Sequence, residues 1–238
     1  MSSSEPVVVT HGLGRRYGDL VALEELDLAV RPGEVVALLG HNGSGKTTAL
    51  RCIAGDLVPT AGMVRVDGAD PHAEPEGEQA RRALAFIADT PVFYRDLTLD
   101  EHLALVAAAF DEPGRVECGQ AVLAELGMSA KRTARPHELS SGQRQKALLA
   151  CIAARPLTVL LLDEPVLRLD PSAQRWLHGW LVAQAHEGVA VVLTTHQPRF
   201  AEGLADRAVC LVEGRVQSDE PFPQFLARGG DEEIGGQG

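Results

Sequence analysis

Gly40-His41-Asn42-Gly43-Ser44-Gly45-Lys46-Thr47-Thr48 decides how the rest of this 238-residue chain is read. It fits the phosphate-loop pattern of Gly, four residues, Gly, Lys, then Ser or Thr. By average residue usage, about one chain in a hundred of this length shows the pattern by accident. Its flanks lower that further. Glu34-Val35-Val36-Ala37-Leu38-Leu39 is a short apolar run of the buried-strand kind, and Thr48 to Ala54 reads as a helix stopped by Gly55. A strand, a glycine loop and a helix start place backbone N–H groups around an anion, with the helix dipole aimed at it. Lys46 is then expected to reach the β- and γ-phosphates of a nucleotide, and the Thr47 hydroxyl to sit on Mg²⁺.

Outward from this loop, the chain alternates strands and helices. Val7-Val8-Val9 and Ala22 to Val30 read as strands, with Gly14-Arg15-Arg16-Tyr17-Gly18 in the turn between them. Met63 to Gly68 is a short alternating strand, Ala69 to Gln79 an exposed loop, and Ala83 to Ile87 a buried strand. Thr98-Leu99-Asp100-Glu101 is a capping box for a helix with Leu99, Leu103, Val106 and Phe110 on one face. A second helix runs from about Arg115 to Leu126, and residues 89–155 read as a helical lobe inserted into the nucleotide core. Strands at 158–162 and 190–194, a helix at 172–186 and a hairpin through 208–216 follow. Such alternation predicts a mainly parallel sheet with ligand groups at the strands' carboxyl ends. The acidic, glycine-rich end from Gly229 to Gly238 is expected to be disordered.

Asp163 and Glu164 close the strand at 158–162, where adjacent carboxylates call for something positive or reactive beside them. Asp163 is placed for Mg²⁺ and Glu164 for polarising an attacking water. The plainer alternative is an acidic strand-end turn ahead of Pro165. His196 ends the next strand on the same side, although a lone histidine is usually structural. Tyr17, by itself, is more often a half-buried strand aromatic than a ligand contact. Ser140-x-x-Gln143 within Leu139-Ser140-Ser141-Gly142-Gln143 is a capping box, and the helix start it opens is also an anion site.

Composition bounds the classes. Hydrophobic residues make up 45% and charged residues 23%, and no apolar run approaches a bilayer span. The formal net charge of −11 argues against nucleic acid as the main ligand. The four cysteines show no C-x-x-C and no zinc spacing. Met1 to Pro6 has no signal-peptide character, so a cytoplasmic protein is expected.

Taken together, Gly40 to Thr48, Leu139 to Gln143, Val159 to Pro165, Asp170 and His196 resemble the ATP-binding subunit (nucleotide-binding domain) of an ATP-binding cassette (ABC) transporter over nearly the whole chain. The resemblance implies a P-loop NTPase (RecA-like) α/β core with an N-terminal antiparallel β subdomain and an inserted α-helical subdomain. One ATPase domain spans 5–222, with its core at about 5–88 and 156–222 and an extension at 223–238. It implies that Tyr17 stacks on adenine, that Gly40, His41, Asn42, Gly43, Ser44, Gly45, Lys46, Thr47 and Thr48 bind nucleotide, and that Lys46, Glu164 and His196 are catalytic. Thr47, Asp163 and Asp89 are the implied Mg²⁺ residues. Leu139, Ser140, Ser141, Gly142 and Gln143 match the signature that meets the γ-phosphate of ATP held by a second subunit. The implied partners are a separately encoded transmembrane permease, docked near Asp89 to Asp96, and a head-to-tail dimer partner, either a second copy or another ATPase subunit. The place implied is the inner face of the cell membrane.

Three positions depart from the family pattern: Asp89 stands where glutamine is usual, Ser141 replaces a glycine, and Leu167-Arg168 replaces a small polar pair before Asp170. The compact length resembles exporters' subunits more than importers'. The alternatives are a soluble ABC-type ATPase acting on ribosomes or DNA, and a nucleotide-binding regulator with little turnover.

Overall fold

A computed structural model of the chain describes residues 5–88 and 92–230. It divides into two compact units. The first is built from the described parts of Met1–Phe86, Leu157–Pro165 and His178–Gly238, the second from those of Ile87–Pro156 and Val166–Leu177.

The first unit holds two sheets. β1 (Val8–Tyr17) lies between β2 (Leu20–Val30) and β4 (Ala61–Val66), antiparallel to both. β1 runs through the stretch expected to be a turn; the reversal is at Gly18-Asp19, where Tyr17 pairs with Leu20. Register shifts along β1 absorb Gly12 and Gly14 without ending the strand. Tyr17 therefore stands at a strand end rather than in a loop.

The second sheet has the order β5-β6-β7-β3-β8-β9: β3 is Val35–Leu39, β5 Leu84–Ile87, β6 Val159–Asp163, β7 Ala190–Thr195, β8 Arg207–Val212 and β9 Arg215–Pro221. β3, β6, β7 and β8 are parallel, and β9 is antiparallel to β8. Every residue of β3, β6 and β7 is buried, which is why they read as unbroken apolar runs. Helix α1 (Lys46–Ile53) joins the two sheets into one core: Leu50 and Ile53 meet Leu13, Leu26 and Val64 from one and Val36, Leu161 and Val192 from the other. Full burial of each such side chain is worth about 1.5–3 kcal/mol.

One short helix replaces the end of the expected loop, and two more lie later in the chain. α2 (Glu76–Ala83) carries Glu76 and Glu78 in its first turn and Arg81 and Arg82 in its last, the distribution a helix dipole favours, and Ala80 anchors it in the core. α7 (Pro198–Ala201) follows β7, and α8 (Phe222–Ala227) inserts Phe222 and Phe225 beneath the sheet edge. The end expected to be disordered lies, from residue 231 on, outside the described residues.

The second unit is helical: α3 (Leu99–Ala109), α4 (Val116–Glu125), α5 (Ser141–Ala153) and the start of α6 (Pro171–His186). The Thr98 box is formed, Thr98 N–H donating to Glu101 Oε2 at 2.7 Å and Glu101 N–H to Thr98 Oγ1 at 3.3 Å. Leu99 and Leu103 are buried as expected, but Ala107 and His102 complete that face. Val106 lines a groove instead, and Phe110 carries the Arg155 guanidinium 3.7 Å above its ring. Residues 166–177 belong to this unit, where the Lys146 ammonium on α5 pairs with Asp170 at 2.6 Å.

Candidate nucleotide-binding site

The loop between β3 and α1 wraps around Lys46. Its ammonium donates to Gly40 O at 2.7 Å and His41 O at 2.8 Å, and reaches Ser44 Oγ at 3.5 Å. Burial lowers the Lys46 pKa, while the nearby charges of Glu164 and Asp163 oppose that shift. Gly45, at φ 101°, precedes α1 and offers no side-chain cap, and no acidic residue lies in the first turn. The helix's N–H groups are thus left for an outside acceptor. Two of the glycines are required by the chain itself. A Cβ on Gly40 would lie 2.3 Å from Leu211 O, and one on Gly45 2.4 Å from Ala22 O. The loop is seated against β8 and β2, and only glycine admits those approaches.

At the end of β6, Asp163 is buried and Glu164 adopts φ 47°. The Thr194 hydroxyl, paired in register with Asp163 across β6 and β7, donates to Asp163 Oδ1 at 2.7 Å and accepts from the Glu164 N–H at 2.9 Å. One hydroxyl therefore fixes both acids. His196 Nδ1 lies 2.8 Å from Glu164 Oε2, and the His196 N–H approaches the same oxygen at 3.4 Å. An ionised carboxylate only accepts, so Nδ1 carries the proton in this pair. Nε2 then accepts from the Gln197 amide, 3.4 Å away.

A cavity of about 330 Å³ opens between these groups, lined by Tyr17, Leu20, Ala22, residues 42–48, Asp163 and Glu164. Of the residues singled out in the sequence, Tyr17, Asn42 through Thr48, Asp163 and Glu164 meet there. Gly40 and His41 lie beneath the loop and contribute carbonyls to Lys46, and His196 stands behind Glu164. Asp89 lies outside the described residues. Thr194 and Gln197 were not singled out. Thr194 had a signal: with Thr195 it puts a hydroxyl pair at the end of an otherwise apolar strand.

In the second unit, Ser140 caps α5, its hydroxyl accepting from the Gln143 N–H at 3.2 Å while Gln143 Oε1 accepts the Ser140 N–H at 2.9 Å. The hydroxyl proton of Ser140 is not spent on the cap. Leu139 is buried, and its carbonyl accepts from Arg144 Nη1 at 2.7 Å. Gly142 packs on the 166–170 segment so closely that a Cβ would stand 2.7 Å from Arg168 O. Asp170 accepts from the Ser172 and Ala173 N–H groups, capping α6, and is hydrogen-bonded by the Ser172 hydroxyl. The bond from Lys146, with these donors, holds its carboxyl far below the usual carboxylate range. Leu139 to Gln143 and Leu167 to Asp170 thus lie side by side, in close approach at Gly142 and Arg168 and tied through Lys146.

The family model described as ABC transporter matches residues 23–167. The chain is 33% identical to the SkfA peptide export ATP-binding protein SkfE of Bacillus subtilis, over 88% of this chain and 86% of that one. It is 38% identical to the aliphatic sulfonates import ATP-binding protein SsuB 3 of Paraburkholderia xenovorans, over 100% of this chain and 91% of that one. Among solved structures, an ATP-binding subunit of an ABC transporter superposes with a TM-score of 0.86 at 31% identity, covering 96% of this chain and 97% of its own.

Proposed function

This chain belongs to the ABC transporter family as an ATP-binding subunit and ATPase, and on that premise we propose how its residues act and what they drive. The observation that carries the reading is the single cavity in which the uncapped start of α1, Lys46, the two carboxylates and Tyr17 meet. The triphosphate lies on the loop and the α1 N-terminus, with Lys46 on its β- and γ-phosphates, and the adenine stacks on Tyr17. The Thr47 hydroxyl and Asp163 carboxylate are hard oxygen donors on the cavity wall, which suits Mg²⁺ held mainly by phosphate oxygens. When bound, that ion supplies charge neutralisation for the β- and γ-oxygens.

Glu164 is the general base. His196 holds Oε2, which leaves Oε1 to take the proton of a water as its oxygen bonds to the γ-phosphorus and the β–γ bridging bond breaks, giving ADP and phosphate. Thr194 fixes the Glu164 backbone N–H and the Asp163 carboxylate. Thr194→Val removes a donor to Asp163 and an acceptor for Glu164 N–H in one step. It is expected to lower kcat about 10–100-fold with KM little changed, and to cost about 1–3 kcal/mol of stability for the unsatisfied groups. Steady-state hydrolysis and urea unfolding check both.

The surface of Leu139 to Gln143 and Leu167 to Asp170 is read as the face presented to a second subunit, either another copy or a related ATPase, with Ser140 on that subunit's γ-phosphate. The membrane partner is a separately encoded permease. Among the described residues no helix is long and apolar enough to cross a membrane, and the second unit carries an apolar groove of about 410 Å³ lined by Val92, Phe93, Tyr94, Leu105, Val106 and Leu148. Val92 is 88% and Tyr94 67% exposed there, the character of an interaction surface. Buried His102 fixes this strip. Its Nδ1 donates to Thr98 O at 2.7 Å and its Nε2 accepts the Tyr94 N–H at 3.0 Å. His102→Ala is expected to leave ATPase activity of the isolated subunit intact and to abolish most of its stimulation by the permease; equal stimulation in the variant would exclude docking on this strip.

Export is the direction we assign, supported by likeness to SkfE, which is named for peptide export; the more fully covered SsuB 3 is named for import. Proteoliposomes bearing subunit and permease, with ATP outside, decide it: export predicts ATP-dependent uptake into the lumen, import predicts loss from it.

A further inference from the structure

Arg15 and Tyr17 lie two residues apart at the end of β1 and so leave the strand on the same side. The Arg15 guanidinium lies over the Tyr17 ring, its Cζ 4.7 Å from the centroid. Tyr17 is 45% exposed and lines the nucleotide cavity, whereas Arg15 is not part of that lining. The guanidinium is itself anchored. Nη1 donates to Val58 O at 2.7 Å, in the segment that leaves α1. The neighbouring backbone is tied to the same segment, with Arg16 N–H donating to Thr60 Oγ1 at 3.1 Å and Thr60 N–H to Gly14 O at 2.8 Å. Arg15 Nε is buried with no hydrogen-bond partner. A buried donor left unpaired is unfavourable and calls for an explanation. Here the guanidinium is held by the Val58 carbonyl and the ring it covers, not by that edge.

We propose that Arg15 is a positioning residue for the nucleotide base: it pins Tyr17 from behind, so that guanidinium, phenol ring and adenine stack in that order, and ties the base platform to the exit of the helix whose start holds the phosphates. Tyr17 is then pre-set before the nucleotide arrives, and less side-chain freedom is lost on binding. This rests on the reading that Tyr17 carries the adenine.

The test is equilibrium binding of ATP and of inorganic tripolyphosphate to the purified wild type, Arg15→Met, Tyr17→Ala and the double variant. Arg15→Met is expected to weaken ATP about three- to fivefold, the size of the ordering cost of one side chain on binding, and to leave tripolyphosphate unchanged. In the Tyr17→Ala background it adds nothing. Arg15→Gln carries the same comparison if the methionine variant does not fold. Unchanged or tighter ATP binding in Arg15→Met overturns the proposal, the second because cation and base would then compete for one ring face. So does equal weakening of tripolyphosphate, which marks a merely structural role, or an undiminished effect in the Tyr17→Ala background. If Tyr17→Ala itself leaves ATP binding unaltered, the base does not stack there, and the site reading falls together with the proposal.

Discussion

Replacing Glu164 by glutamine is expected to reduce steady-state ATP hydrolysis about 10²–10⁴-fold, the usual worth of a general base, with ATP binding kept. Glutamine matches the shape of glutamate, and its amide oxygen can still accept the His196 Nδ1–H that now lies 2.8 Å from Oε2. The turn at φ 47° and the bond from Glu164 N–H to Thr194 are backbone features that the substitution does not touch. What is lost is the basic oxygen proposed to take the water's proton. On the proposed reading ATP then stays intact between two subunits, and ATP-dependent dimers should accumulate, visible by size-exclusion chromatography with light scattering. Hydrolysis within tenfold of wild type would assign the proton to another acceptor. Loss of ATP binding would instead show Glu164 to be part of the loop's framework.

Lys46→Met should act earlier, on binding itself. Charge-assisted hydrogen bonds are worth about 1.5–3 kcal/mol each, so removal of the ammonium from two phosphates is expected to weaken ATP about 10²-fold or more. The same ammonium donates to Gly40 O and His41 O, so the variant should also unfold at lower denaturant. The pH dependence separates these effects. Burial pulls the Lys46 pKa below the ordinary lysine range, against the upward pull of Glu164 and Asp163. Its charge is therefore lost at a lower pH than that of an exposed lysine. ATP affinity of the wild type should fall as pH rises through that alkaline region, and the fall should be absent in Lys46→Met. An identical alkaline fall in both proteins would assign it to a different group.

Much of the cavity's make-up was legible along the chain. Gly40 to Thr48 is a local motif whose residues serve one turn of backbone, so spacing alone reveals it. Thr98 and Ser140 announced their helices because a capping box closes within four residues. The reading failed where a neighbour in space overrode local texture. Gly14 to Gly18 has the composition of a turn, yet pairing with β2 and β4 carries β1 on to Tyr17. Ala69 to Gln79 reads as loop, yet Ala80 buried against the core and Arg65 paired with Glu76 at 2.9 Å hold its end as helix.

By itself, then, the sequence determined the phosphate loop, the two capped helices and the fully buried strands, because each depends on φ, caps or periodicity among residues a few positions apart. The tertiary structure decided which side chains work as a unit. Thr194 meets Asp163, and His196 meets Glu164, across gaps of 31 and 32 residues, only because β6 and β7 lie side by side in one register. Arg15 covers Tyr17 on a strand end whose direction is set by residues 58–60. Leu167 to Asp170 joins Leu139 to Gln143 through Lys146 and the missing Cβ of Gly142. Contacts of this kind are fixed by strand order and helix packing, which spacing along a chain does not encode.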